Sequence, residues 1–438
     1  MSTTADQLVT ARWIVPVEPA NVVLENHSIA IKDNRIVDLL PRDQAQARYP
    51  DAKERAMNEH VLIPGLINAH AHAAMSLLRG LADDLPLMQW LEEAIWPAEG
   101  KYVSPQFVRD GSLLAAAEML RGGITTCNEM YFFPDAAAEA FDATGMRAVI
   151  GVTAIEFPTP YASNVDEYLK KGLAARDKWR GHERIRFSMA PHAPYTVSDD
   201  TFRRIANLAN ELDAAVHIHV HETAFEVEES LKQHGMRPLE RLARLGIAGP
   251  GMIAVHAVHL DNQDMDILAS HGASVAHCPS SNMKLASGIA PVSALIDQGV
   301  KVALGTDGAA SNNRLDLFNE MRHAALLSKV STGNATTLPA ARVLRMATLD
   351  GAEALGMEKD IGSLEIGKLA DICAVGLSEI ETQPCFNPIS HLVYCAGREH
   401  VTDVWVGGTL VVGEKQVLQK PNSELLAIAR VWQNKLGN

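Results

Sequence analysis

Cysteine is the first scarcity. The 438-residue chain carries five, Cys127, Cys278, Cys373, Cys385 and Cys395, scattered and never two residues apart. An odd, dispersed set argues against a disulfide framework and against a cysteine zinc site, so the five read as reduced thiols. Positive charge is short as well: 39 Lys and Arg against 53 Asp and Glu leave a formal net charge of -14. An acidic chain repels phosphate backbones, so no nucleic acid partner is expected. No apolar run is long enough to span a bilayer. The start, MSTTADQLVTARW, lacks the basic opening and long apolar core of a secretory signal. Together these point to a cytoplasmic protein without a membrane partner. Low-complexity tracts and short-period repeats are missing too.

What is present is an ordinary globular composition, 47% hydrophobic and 21% charged. Short β-like runs fill residues 6–40 (LVTARWIV, VVLENHSIAI, RIVDLL), with a turn at Asp33–Asn34, and look like a small antiparallel unit ending near HVLIPG. From Leu66 the texture changes to apolar strands alternating with helical stretches. Eight strand candidates follow: LINAHAH, ITTCNEM, RAVIGVTAI, IRFSMAPHA, AAVHIHVHE, MIAVHAVHL, ASVAHCPSSN and KVALGTDG. Helices are expected over 104–121, 198–212, 225–245, 291–298 and 314–328. This α/β alternation predicts a (β/α)₈ TIM barrel. After about Gly356 the texture reverts: GSLEIGKLADICAV, HLVYCAG and VTDVWVGGTLVVGEKQVL read as strands and hairpins, before a last helix over 423–435. The expected division is residues 1–65 and 366–438 joined into one small β domain, with the barrel, 66–365, inserted between them.

Chemistry concentrates at the ends of these strands, where barrel active sites form. In Pro64–Leu77, PGLINAHAHAAMSL, His70 and His72 stand two apart, so both side chains fall on one side of an extended backbone and can chelate one ion. His192 ends the fourth strand, His219 and Glu222 the fifth, His256 the sixth and Asp307 the eighth. In HIHVHE, His217, His219 and His221 alternate onto one face, and spacing alone does not choose between His219 and His221. His217 suits a core histidine. Asp307, in LGTDG, completes a three-His, one-Asp set for an ion with an open position, although a turn Asp would suit the same stretch.

These motifs resemble the amidohydrolase superfamily. PGLINAHAHAAMSLLRG, IWPAEGKYVS, APHAPYTVS, HCPSSNMKLASG and GTDGAASNNRLDLFNEMR are similar, over essentially the whole chain, to the 5-methylthioadenosine/S-adenosylhomocysteine deaminases. The resemblance implies an amidohydrolase-type barrel with a β-sandwich domain from both termini. It further implies one divalent metal ion per chain, zinc by family habit, on His70, His72, His219 and Asp307. The ligand is His219 because the family ligand stands three before the glutamate. Glu222 then matches the proton-shuttling acid, and His256 rather than His259 the histidine that assists the attacking water. Glu99 matches a residue for the ribose hydroxyls and His192 a substrate-binding histidine. Trp96 is a candidate for the same pocket, though a core role fits it as well. No bridging lysine ends the fourth strand, which favours a mononuclear site. The stretch after the third strand, IEFPTPYASNVDEY, has no arginine for a carboxylated tail, which weakens S-adenosylhomocysteine more than methylthioadenosine.

The implied activity is hydrolytic deamination of the adenine ring of a small-molecule nucleoside to the inosine analogue and ammonia. Asp307 and His256 orient and deprotonate water while Glu222 protonates the ring. Competing readings are a guanine-type or other aminopurine deaminase, a triazine chlorohydrolase, and a catalytically silent scaffold acting by protein interaction. A homo-oligomer is compatible with each.

Overall fold

The computed structural model describes residues 4–437. The chain opens with β1 (Gln7–Ile14), β2 (Leu24–Lys32), β3 (Arg35–Pro41) and the long β4 (Lys53–Pro64). β1 pairs antiparallel with β2, and β2 with β3, but β4 runs parallel to β1, so the opening unit is mixed rather than purely antiparallel. Asp33 turns the β2–β3 hairpin in the left-handed region, φ 53°, which Asp tolerates better than most residues.

The barrel follows as β5 (Leu66–Ala71), β6 (Ile124–Glu129), β7 (Arg147–Ala154), β8 (Ile185–Pro191), β9 (Val216–Val220), β10 (Met252–His256), β11 (Ser274–His277) and β12 (Lys301–Leu304). They lie side by side in sequence order, and every pairing is parallel. Strands β5, β6, β7, β9, β10 and β11 are buried along their whole length, as expected of a parallel sheet with helices outside. The seam between β12 and β5 is closed by Asn68: its amide donates to Thr306 Oγ1 at 2.7 Å and its Oδ1 accepts the Thr306 N–H at 2.9 Å. Outside, the helix Pro105–Arg121 passes so close to the turn after β5 that a Cβ on Gly111 would sit 2.4 Å from the Ala74 carbonyl oxygen. Only glycine admits that approach.

Beyond the barrel, β13 (Ile372–Gly376), β14 (Val401–Val406), β15 (Thr409–Gly413) and β16 (Gln416–Val417) return to the first unit. β13 pairs antiparallel with β4, so both ends of the chain form one eight-stranded sheet in the order β16-β15-β14-β13-β4-β1-β2-β3. It encloses its own core, in which Val9, Ile29, Ile31, Leu62, Ile372 and Trp405 meet across the two halves. The β14–β15 hairpin turns on Gly407 and Gly408, both at positive φ.

Two further expectations are corrected. The stretch around HLVYCAG is a helix, Pro388–Tyr394, not a strand. Asn387 caps it by accepting the Ser390 N–H, Pro388 sits in its first turn, and Ile389, Leu392 and Val393 bury one side at helical spacing. The helix expected over 225–245 is two, Ala224–His234 and Pro238–Arg244. Gly235, at φ 68°, ends the first and Pro238 opens the second.

Candidate active site

The strand ends converge as the spacing predicts. His70 Nε2 lies 3.2 Å from Asp307 Oδ1 and 3.2 Å from His219 Nε2, and His72 Nε2 lies 3.3 Å from the same Asp307 oxygen. His256 joins them: one ligand atom each from His70, His219, His256 and Asp307 falls within 4.8 Å of all the others, and all four residues are buried. The backbone turns left-handed at His256, φ 71°, and at Asp307, φ 61°. Such strain in non-glycine residues persists only where surrounding structure over-determines it, and it aims both side chains into the mouth of the barrel.

Each candidate ligand is held by its far side. His72 Nδ1–H donates to the Met130 carbonyl at 2.5 Å, His219 Nδ1–H to the His192 carbonyl at 2.8 Å and His256 Nδ1–H to Asn282 Oδ1 at 2.9 Å. Ser281 and Ser311 hydroxyls donate to Asp307 Oδ2 at 2.6 and 2.7 Å, leaving Oδ1 toward the histidines. This is the support that metal-ligating histidines and carboxylates carry. Burial pushes the His70 imidazolium down to about 3, against the pull of Asp307, and it drives His219 down as well. The His70 and His219 rings are therefore held neutral, and with Nδ1–H donated away the Nε2 atoms of His72, His219 and His256 turn toward the cluster. Burial alone would raise Asp307, but the His70 hydrogen bond and the surrounding imidazoles hold it well below the usual carboxylate range. Histidine nitrogens and a carboxylate oxygen crowded within 4.8 Å of one another, each side chain held from behind, fit a divalent cation.

His221 is turned away. Its Nδ1–H donates to the His259 carbonyl at 2.9 Å, and its Nε2 accepts the Leu239 N–H at 3.1 Å. His259 is likewise committed, through Nε2 to the Ser287 carbonyl at 2.7 Å. Of the three alternating histidines, His219 meets the cluster. His217 stands behind it, with Nε2 2.9 Å from His70 Nδ1, and so fixes which nitrogen of His70 faces the site.

Glu222 lies over the cluster. Its Oε2 is 3.8 Å from His256 Nε2, and its Oε1 accepts from the Ser287 hydroxyl at 3.4 Å. Burial raises its carboxyl, with His256 opposing and Asp307 reinforcing. Burial of this kind moves a carboxyl toward the range in which it serves as a general acid.

The same mouth opens into a cavity of about 350 Å³ lined by His72, His192, His219, Glu222, His256 and Asp307 on one side. Trp96 and Glu99 line another, from the helix Trp96–Tyr102. Tyr131 donates its hydroxyl to Glu99 Oε1 at 2.5 Å. Burial nevertheless pushes Glu99 up to about 7. His192 Nδ1 is 3.0 Å from Thr196 Oγ1, which leaves Nε2 to the cavity. All the sequence-predicted candidates except His70, which is fully buried beside Asp307 and His219, thus border one space.

Sequence reasoning missed several supports. Asn282 orients His256, and Glu226 accepts the His221 and Glu222 backbone N–H groups at 2.9 and 3.0 Å, setting the turn on which Glu222 stands. Glu129, at the end of β6, accepts the Ala73 N–H at 2.8 Å just past His72, and burial pushes it up to about 8. An acid closing ITTCNEM was a visible signal, since it follows the same strand-end rule as the other candidates.

Comparison with known proteins agrees with this geometry. The amidohydrolase family profile matches residues 61–411. A 5-methylthioadenosine/S-adenosylhomocysteine deaminase of Teredinibacter turnerae is 46% identical over 436 residues, covering 100% of this chain and 99% of its own. The crystal structure of an adenosine deaminase from Xanthomonas campestris with bound zinc is 48% identical, with a TM-score of 0.98 and full coverage of both chains. The atrazine chlorohydrolase of Arthrobacter aurescens, complexed with zinc, shares 25% identity at a TM-score of 0.90, covering 97% of this chain and 99% of its own. With its barrel, its buried histidine–aspartate cluster and these full-length relatives, the chain belongs to the amidohydrolase family.

Proposed function

We propose that this protein is a zinc-dependent deaminase of adenine nucleosides, converting 5′-methylthioadenosine, S-adenosylhomocysteine or both to the inosine analogue and ammonia. The observation that carries the reading is the position of Glu99: a half-buried carboxyl, bonded to the Tyr131 hydroxyl, that lines the same cavity as Glu222 and His256. A free base or a triazine has no use for it, whereas a ribose offers two hydroxyl donors to its two oxygens. The full-length relatives named for this activity support the same assignment.

In this reading His70, His72, His219 and Asp307 hold the ion, which when bound supplies a Lewis acid able to bring the pKa of a water to about 7. Asp307 and His256 orient the attacking water and take its proton. Glu222 delivers a proton to N1 of the ring as oxygen adds to C6. The proton taken from the water passes on to the C6 amine, the C6–N bond breaks and ammonia leaves, and the remaining hydroxyl proton returns to Glu222 as the C6 carbonyl of hypoxanthine forms. His192 presents its free nitrogen to the nucleoside, and Trp96 packs against it. Proton transfer by placed groups of this kind contributes ~10²–10⁴ in rate. Among the described residues no helix is long and apolar enough to cross a membrane, and the free thiols suit a reducing cytoplasm.

The test is ammonia release by the zinc-loaded protein from 5′-methylthioadenosine, S-adenosylhomocysteine, adenosine, adenine and guanine side by side. Nucleosides turned over well ahead of free bases are expected. Turnover of free bases alone would move the assignment to an aminopurine deaminase.

A further inference from the structure

We infer that the cavity selects adenine nucleosides whose 5′ substituent is short, uncharged and apolar, such as a methyl thioether, over those ending in an amino-acid tail. Trp96 and Phe157 are the selecting walls. The inference rests on the deaminase reading above and adds to it a preference between two substrates that the reading leaves equal.

With the ring amine at the histidine–aspartate cluster and the ribose on Glu99, the 5′ substituent extends along what remains of the cavity wall. Trp96 precedes Glu99 by three residues on the same helix, so the two side chains share a face. Phe157, on the loop after β7, meets Trp96 edge to face with ring centroids 6.2 Å apart. Leu91, Ile95 and Pro158 line the cavity around this pair. The chain has only ten Phe, six Trp and seven Tyr, yet Trp90, Trp96, Tyr131, Phe132, Phe157 and Tyr195 all border this one space. A methylthio group is matched by such walls, through apolar burial and sulfur–aromatic contact.

A homocysteinyl tail is not matched. Among the described residues lining the cavity there is no lysine and no arginine. Cations on the segments flanking the cavity are engaged elsewhere: Arg314 donates to Asp316 at 2.7 Å and Arg79 to Glu118 at 3.2 Å. Lys284 donates to Asp83 at 2.6 Å, to the Ala310 carbonyl at 3.0 Å and to Asn313. Lys171 donates to the Tyr161 carbonyl at 2.6 Å and pairs with Glu167. Lys101 lies over the Tyr102 ring, 4.7 Å from its centroid. The charged side chain at the start of the Phe157 loop is acidic: Glu156 accepts from Thr201 at 2.8 Å and from the Ser198 N–H at 3.0 Å. A carboxylate brought against Trp96 and Phe157 would find no lysine or arginine in the cavity lining to pair with.

The experiment compares kcat/KM for 5′-methylthioadenosine and S-adenosylhomocysteine on the zinc-loaded wild type and on Phe157→Arg. The wild type is expected to favour the thioether by at least tenfold. Phe157→Arg, which brings a cation to that wall, is expected to move the ratio toward S-adenosylhomocysteine by a further tenfold or more. Equal kcat/KM values in the wild type, or a preference for the longer substrate, would overturn the inference while leaving the deaminase reading intact. Turnover of neither would remove the reading itself and the inference with it. The wild-type ratio decides alone if the variant does not fold.

Discussion

At the N-terminal end of the barrel, Arg147 opens β7 and meets Asp371, just before β13, through two bonds of 3.3 and 3.1 Å. The Arg147 guanidinium also donates to the Glu183 carbonyl at 3.2 Å, and the Asp371 carboxylate accepts the Gly407 N–H at 2.7 Å. Both side chains are almost wholly buried. At the other end, five residues with ionisable side chains crowd around Asp307 with no cation from the protein among them. One end of the barrel therefore completes its buried charges with protein groups and ties the barrel to the terminal sheet. The other leaves histidine nitrogens and raised carboxyls facing a cavity. Buried charge with every partner present serves stability, and buried charge awaiting an ion or substrate serves chemistry.

That contrast can be broken in order of size. His219→Ala should cut bound zinc well below one per chain and abolish deamination, while the thermal midpoint without metal stays near that of the metal-free wild type. Metal analysis beside a melting curve checks both, and full zinc content in the variant would count against the ligand assignment. Arg147→Met should do the reverse. Removing one partner of a buried pair costs ~3–5 kcal/mol, read in denaturant unfolding, while kcat of the folded enzyme stays near wild type. A kcat collapse at unchanged stability would erase the distinction between the two ends.

Glu99 gives the smallest effect and sharpens the contrast through pH. Its carboxyl is pushed up to about 7 by burial, so it is protonated below that pH and ionised above. Only the ionised form offers acceptors to both ribose hydroxyls, so kcat/KM for a nucleoside should rise as pH climbs through about 7 and then level. Glu99→Gln should lower kcat/KM for nucleosides about tenfold, some 1.4 kcal/mol, and flatten that rise, with free-base turnover unaffected. An unchanged pH profile in the variant would show that the group setting it lies elsewhere.

Much of this was legible in the chain because strand ends follow simple rules. The alternation in NAHAH and HIHVHE places side chains by period two, and PG, GTDG and the glycine turns mark where strands stop. What was not legible depends on contacts between distant segments. Nothing local marks Asn282 as the partner of His256, or His217 as the partner of His70, since those meetings are made by strand order across the barrel. His219 and His221 are equivalent by spacing and are separated only by the Leu239 N–H and the His259 carbonyl, which claim the second ring. The helix Pro388–Tyr394 was misread because HLVY, taken without its Asn387 cap, has the texture of a strand.

In the proposed deaminase the mouth of the barrel is divided between residues that hold an ion and one, Glu222, that moves a proton above it. The most direct test is Glu222→Gln, with zinc content and kcat for 5′-methylthioadenosine measured on the same sample. One zinc per chain with kcat reduced by ~10²–10⁴ is the predicted result. Near-native turnover at full zinc content would contradict the division.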